Sequence, residues 1–269
     1  LGLSAGGLVR AADTEIVLPL PYTTLDPEHV RQLAYNQYFQ GGCMHGASSG
    51  LILAFKEAFA GQGTGWDQIP LGMYKYGSGG VGGWGTICGV LNGVMAVLNL
   101  VNLHGVLGNE LMGWYSTTLF PTDKCDGMVA TSPTGAVLAT AIPDALVLAH
   151  TVSDSPLCHV SISKWCEAAG VSVADATVDG LKYKEDRCSK VCADTAAKTA
   201  ELINLYVAAS YKPDYKATED FAACLACHST RKDQIGQMNC SGCHTNDAVL
   251  VSTYHPAGKM GLGKAKKGK

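Results

Sequence analysis

Residues 76–109 read YGSGGVGGWGTICGVLNGVMAVLNLVNLHGVLGN, a run with no Asp, Glu, Lys or Arg. Its length alone would suit a membrane span. Gly77, Gly79, Gly80, Gly82 and Gly83 break the first part, however, and Asn92, Asn99 and Asn102 recur at steps that mark one polar face. The stretch therefore reads as a Gly-rich loop running into a buried helix over 86–104, packed in a bundle, with no transmembrane segment. Gly89 and Gly93, one turn apart, would let another helix approach closely.

The flanking sequence is also helical. Residues 27–40 open with Asp26 as a cap and Pro27 in the first turn, then place Val30, Leu33, Ala34 and Tyr38 at helical spacing. Residues 43–60 form a second apolar helix ended by Gly61, 143–150 a further one, and 188–209 another with Ala193, Ala196, Ala197, Ala200, Leu202, Ile203, Tyr206 and Val207 on broad apolar stripes. Strand signals are few. The fold class is all-α, a bundle-like helical domain with long loops over 1–212, and Pro213 marks the boundary to a small C-terminal segment over 213–269.

With 269 residues, 47% hydrophobic and 16% charged, the chain is globular, and a net charge of −3 gives no reason to invoke nucleic acid. Lys259, Lys264, Lys266, Lys267 and Lys269 gather in a Gly-rich tail, which leaves the remainder more acidic than the total.

The C-terminal segment carries the sharpest chemistry. Cys224, Cys227 and His228 form one Cys-x-x-Cys-His pentad and Cys240, Cys243 and His244 a second, each the attachment pattern of a c-type haem. Two cysteines at this spacing form thioethers to one porphyrin, and the adjacent histidine coordinates the iron. The same cysteines spell a tight zinc ribbon, but four thiolates would close such a site without a His after each pair. Disulfides would likewise explain only the cysteines. Two haems c per chain follow, making 213–269 a dihaem segment.

With His228 and His244 as proximal ligands, the sixth ligands come from His29, His45, His104, His150, His159 and His255, or from a methionine. His255, inside the haem segment, is the first choice, His104, at the end of the uncharged helix, the second, and His159, beside Cys158, close behind. Residues 213–269 hold few large apolar side chains, chiefly Phe221, Leu225, Ile235, Val249, Leu250 and Val251, which are too few to cover two porphyrins. The helical domain or a second subunit must supply the rest, so a homodimer with haems near the subunit interface is expected. Haem attachment to cysteine occurs outside the bacterial cytoplasm, so a periplasmic location is expected; residues 1–12 read equally as the end of an apolar export segment or as an ordinary flexible N-terminus.

Seven cysteines remain: Cys43, Cys88, Cys125, Cys158, Cys166, Cys188 and Cys192. Cys43 and Cys88 each stand where a Gly-rich turn meets a helix N-terminus, which favours the thiolate that a metal needs. Cys188 and Cys192 lie one turn apart on one face. Cys125, in a polar turn, reads as a bystander. Disulfides are the competing explanation.

Gly41-Gly42-Cys43 opening an apolar helix, then the loop from Gly79 into Cys88-Gly89-Val90-Leu91-Asn92-Gly93, then a mid-chain cysteine, then Cys188 leading a helix, resembles the bacterial redox proteins named for their C, GCAxxG, C, C pattern. Val90 stands where that family usually has Ala. The third cysteine falls on Cys158 or Cys166, a choice that the sequence leaves open. Such a domain followed by two haem pentads resembles the split-Soret cytochromes c of sulfate-reducing bacteria. That resemblance implies a homodimer with stacked haems, bis-histidine ligation and an iron–sulfur cluster, taken as [2Fe-2S], in the helical domain. It nominates Cys43, Cys88, Cys158 and Cys188 as ligands, with Cys166 and Cys192 as substitutes.

Nothing in the sequence spells a nucleotide-binding loop or a hydrolase triad. The expected function is an exported electron carrier in anaerobic respiration, its redox partners unknown. The alternative is an oxidoreductase reducing a small substrate at a haem with an open sixth position or at the cluster.

Overall fold

The computed structural model describes residues 16–128, 130–131, 137–139, 149–173, 177–178, 181–217, 222 and 237–239. The haem pentads and His255 lie outside the described residues, as does most of the expected helix 143–150, of which residues 149 and 150 are not helical.

The first helix, α1 (Pro27–Ala58), starts as its sequence dictates: Asp26 accepts from the Glu28 backbone N–H and Pro27 occupies the first turn. It is two helices in one. Gly42 holds φ 79° and ψ −164°, backbone that only glycine adopts readily, and there the chain doubles back. A Cβ added at Gly50 would lie 2.6 Å from that of Ala34, and one at Gly46 would lie 2.9 Å from Cα of Tyr38. In a straight helix residues 34 and 50 would be about 24 Å apart. The arms 27–41 and 43–58 thus form an antiparallel hairpin, clamped at its open end by His29 and Glu57.

The uncharged run yields two helices where one was expected. Helix α2 (Gly89–Leu100) stops where Asn102 takes φ 58°, the Leu103 N–H closing onto Leu98 O at 2.8 Å. Helix α3 (His104–Thr117) then buries Leu107, Leu111 and Tyr115, spaced one turn apart, and leaves His104 exposed. Asn102 therefore sits at a break rather than on a helical face. Helix α2 crosses α1 just after the bend: a Cβ at Gly89 would meet Gly77 O at 2.2 Å, and one at Gly93 would meet Met44 O at 2.6 Å.

Helix α4 (Cys158–Ala169) was not anticipated, because Leu157 at its cap makes no side-chain capping bond and gives no start signal. Helix α5 (Tyr183–Val207) begins five residues earlier than the apolar stripe suggested and packs chiefly on α1. Short antiparallel pairs, such as Leu119–Phe120 with Thr151–Val152, join the helices without altering a mainly helical architecture. The core runs between the α1 hairpin, α2, α3 and α5, with Phe55 and Trp66 stacked at 4.5 Å. Among the described residues no helix is long and apolar enough to cross a membrane.

Candidate metal centre

Four cysteines from four separate stretches converge on one small cavity: Cys43, Cys88, Cys158 and Cys188, with Val90, Ile162, Arg187 and Val191 completing its wall. Each is positioned by a local feature. Cys43 follows the Gly42 bend and opens the second arm of α1; Cys88 caps α2; Cys158 is the first residue of α4; Cys188 lies near the start of α5. Cys88 and Cys158 are set side by side by a β-bridge between Ile87 and Leu157, closed by Cys88 N–H to Pro156 O and Cys158 N–H to Thr86 O, both 2.8 Å. Three helix N-termini therefore aim the positive ends of their dipoles at one cavity.

All four side chains are buried. They interact in pairs, Cys88 with Cys158 and Cys43 with Cys188, while Cys192 also reaches Cys43 and donates to its carbonyl at 3.3 Å. At Cys43 the Cys188 hydrogen bond acts to lower the thiol pKa, but the Cys192 bond and burial outweigh it and leave the group at about 12. The bond to Cys158, then burial, pushes Cys88 well up, and the bond to Cys43, then burial, does the same to Cys188. Cys158 alone is lowered, by the bond from Cys88. Metal-free, most of these thiols hold their protons, and a metal would displace them.

Among the described residues no group of three or more His, Cys, Asp or Glu side chains could hold a metal ion as it stands. The paired arrangement nonetheless supplies what a thiolate-bound iron centre requires: four sulfur donors, a water-poor wall and helix N-termini that favour negative charge. Cys43, Cys88, Cys125, Cys158, Cys188 and Cys192 form no disulfide. Of the substitutes, Cys166 lies on α4 beside Trp165, and Cys192 points at the α1 backbone rather than lining the cavity.

Two neighbours escaped the sequence reading. Arg187 lies in the cavity wall and donates to Ser161 Oγ at 2.7 Å; Tyr115 donates to the same oxygen at 3.2 Å and stands against the Cys88 thiol. The only available signal was the position of Arg187 next to Cys188, weak within the charged stretch Lys184, Glu185, Asp186. Cys125 does not line the cavity, but it is fully buried, accepts from Arg31 Nη1 at 3.7 Å and donates to Asp194 Oδ1 at 3.2 Å.

A second, larger cavity of about 530 Å³ lies along α3, within the size range of ligand pockets. His104, Met95, Met112, Tyr215, Met238 and Asn239 line it, and Asn239 immediately precedes Cys240 of the second pentad. The chain entering the C-terminal segment docks on α3 here. Backbone N–H groups of Asp214 and Tyr215 donate to Glu110 Oε2 at 2.9 and 2.8 Å, and the Tyr215 ring occupies the space a Cβ at Gly113 would need. The other described histidines stand elsewhere. His45 is buried against Leu71 O and Ser49, His29 pairs with Glu57, His150 contacts Pro121 O, and His159 is exposed beside Gly85.

Paired cysteines gathered at helix N-termini on a helical scaffold are the constellation of a thiol-redox or thiolate-metal protein. The family described as "putative redox-active protein (C_GCAxxG_C_C)" matches residues 45–202, which include Cys88, Cys158 and Cys188 and begin just after Cys43. Split-Soret cytochrome c of Desulfovibrio desulfuricans is 30% identical over 250 residues, covering 86% of this chain and 80% of that protein. A solved structure, described as a novel iron centre in the split-Soret cytochrome c of the same species, superposes with a TM-score of 0.64 at 29% identity, covering 88% of this chain and 95% of that one. The chain belongs to the C_GCAxxG_C_C redox-protein family and is a homologue of split-Soret cytochrome c.

Proposed function

We propose that this protein is a periplasmic electron carrier of anaerobic respiration, with two covalent haems c at Cys224, Cys227, His228 and at Cys240, Cys243, His244, and one iron–sulfur centre at Cys43, Cys88, Cys158 and Cys188. The observation that carries the reading is the convergence of those four cysteines, distant in sequence, on one cavity, in a homologue of a cytochrome whose solved structure is described for an iron centre. The pairing, Cys88 with Cys158 and Cys43 with Cys188, suits a binuclear [2Fe-2S] core that takes two thiolates at each iron. When bound, such a core supplies a one-electron store.

On this reading the helical part up to residue 212 holds the centre and 213–269 holds the haems. The α3 cavity is the seat of the second haem, since its wall leads directly into Cys240, and His104 is the histidine that faces it. His255 serves the other haem. The subunits pair, and the exposed apolar side chains of the Gly-rich loop and the turn before it support that: Trp84 is 84% exposed, and Met73, Tyr76 and Val81 are also open to solvent.

The test combines mass, metal content and spectrum on the purified full chain. The denatured polypeptide is expected to carry two added haems and the native protein more iron than those haems contain. A mass without added haem removes the cytochrome reading, and iron limited to the haem content removes the cluster. Reduced protein that leaves its spectrum unchanged under carbon monoxide supports closed, bis-histidine haems and the carrier. A carbon monoxide complex points instead to an oxidoreductase with an open iron.

A further inference from the structure

Three lysine or arginine side chains are buried in the described part of the molecule, and two have carboxylate partners. Arg31 pairs with Asp194, and Lys190 Nζ stands 3.0 Å from Asp186 Oδ2. Arg187, only 2% exposed, has no carboxylate among the described residues: its Nη2 donates to Ser161 Oγ at 2.7 Å, and its Nε–H is buried without an acceptor. The guanidinium lies in the wall of the cysteine cavity, within electrostatic reach of Cys188, Tyr115 and Cys88. A buried, permanently charged group without a counter-ion is strongly unfavourable, so the fold must meet it with negative charge. The groups that can become negative at that spot are the cavity thiols and the Tyr115 hydroxyl, and burial pushes the hydroxyl well up, which leaves the thiols, once bound to a metal, to carry the charge.

Resting on the cluster reading above, we propose that Arg187 is the counter-charge of the cysteine centre, a positioning residue that offsets the bound thiolates and raises the midpoint potential of the metal. Reduction adds one electron to the centre from an external donor and one unit of negative charge to the cavity. A fixed guanidinium stabilises that added charge, most strongly where water is excluded. Ser161, held by Tyr115 as well, fixes its direction. Arginine suits the position because its charge cannot be lost by deprotonation on burial, whereas a lysine's can.

The test is a redox titration of the full-length, haem-loaded protein with dithionite and mediators, following the paramagnetic signal of the non-haem iron separately from the haem bands. Arg187→Met is expected to lower the reduced-to-oxidised ratio at fixed poise at least tenfold, about 59 mV downward for a one-electron couple. Arg187→Lys is expected to fall between the wild type and Arg187→Met, because a lysine can carry the charge there but can also lose it, and Ser161→Ala to keep the signal with a smaller shift. An Arg187→Met protein with full non-haem iron and an unchanged midpoint overturns the proposal. If Arg187→Met loses the iron, Arg187→Lys decides: iron kept by lysine supports the charge role, and iron lost from both assigns Arg187 to packing alone. Wild-type protein with no iron beyond its haems would instead sink the cluster reading on which this rests.

Discussion

Cys158 and Cys166 differ by two helical turns, and only one opens a helix against the cavity. In sequence both are mid-chain cysteines and nothing separates them; the β-bridge that brings Cys158 beside Cys88 is a long-range contact that local pattern does not carry. Cys158→Ser is therefore expected to reduce non-haem iron at least about tenfold, and Cys166→Ser to leave it unchanged, by iron analysis of the two purified variants. The reverse result would move the site along α4. Cys43 and Cys88 were legible as candidates because each stands where a glycine-rich turn meets a helix, whereas Cys188, the sixth residue of α5, was nominated by the family pattern alone. Arg187 was not, because a single arginine in a charged stretch reads as solvated until packing shows it buried.

At the scale of elements, glycine placement sets how close α2 comes to α1, and magnitude decides the sign of each substitution. Replacing a helical glycine by alanine gains up to about 1 kcal/mol where there is room. At Gly89 the new methyl would meet Gly77 O at 2.2 Å and Cys43 Cβ at 2.9 Å, and overpacking of that kind costs roughly 1–3 kcal/mol, which wins. Gly89→Ala is expected to lower stability and disturb the Cys43 sulfur; Gly105→Ala, with open space around it, should be neutral or slightly stabilising. Chemical denaturation of both variants checks the contrast. The paired glycines were readable as a close-approach signal, and the helices before and after Gly42 were readable as two. That they fold into a hairpin was not, since a bend at one glycine leaves the periodicity on either side intact. The α2–α3 break was hidden for a related reason: an uninterrupted apolar run looks like one helix until a residue such as Asn102 adopts positive φ.

For the whole molecule the class, a mainly helical redox protein, was legible because two Cys-x-x-Cys-His pentads and a Gly-rich cysteine loop are local motifs with few other uses. Assembly is a different matter, being a property of surface. If the exposed loop around Trp84 forms the subunit contact, Trp84→Ser is expected to shift the protein from dimer toward monomer, by light scattering at fixed concentration, while leaving the iron content unchanged. A Trp84→Ser protein that remains fully dimeric would place the contact elsewhere.

The convergence of Cys43, Cys88, Cys158 and Cys188 also makes a bound iron a clasp across the polymer. It would close three long loops of chain at once, removing configurational freedom from the denatured ensemble as a cross-link does. Release would then require the bundle to open, so chelator alone is expected to extract little iron from the native protein, and chelator with urea to extract it in step with unfolding. Replacement of the metal would follow the tempo of molecular breathing, and the lifetime of the folded protein would track how well its surroundings supply iron.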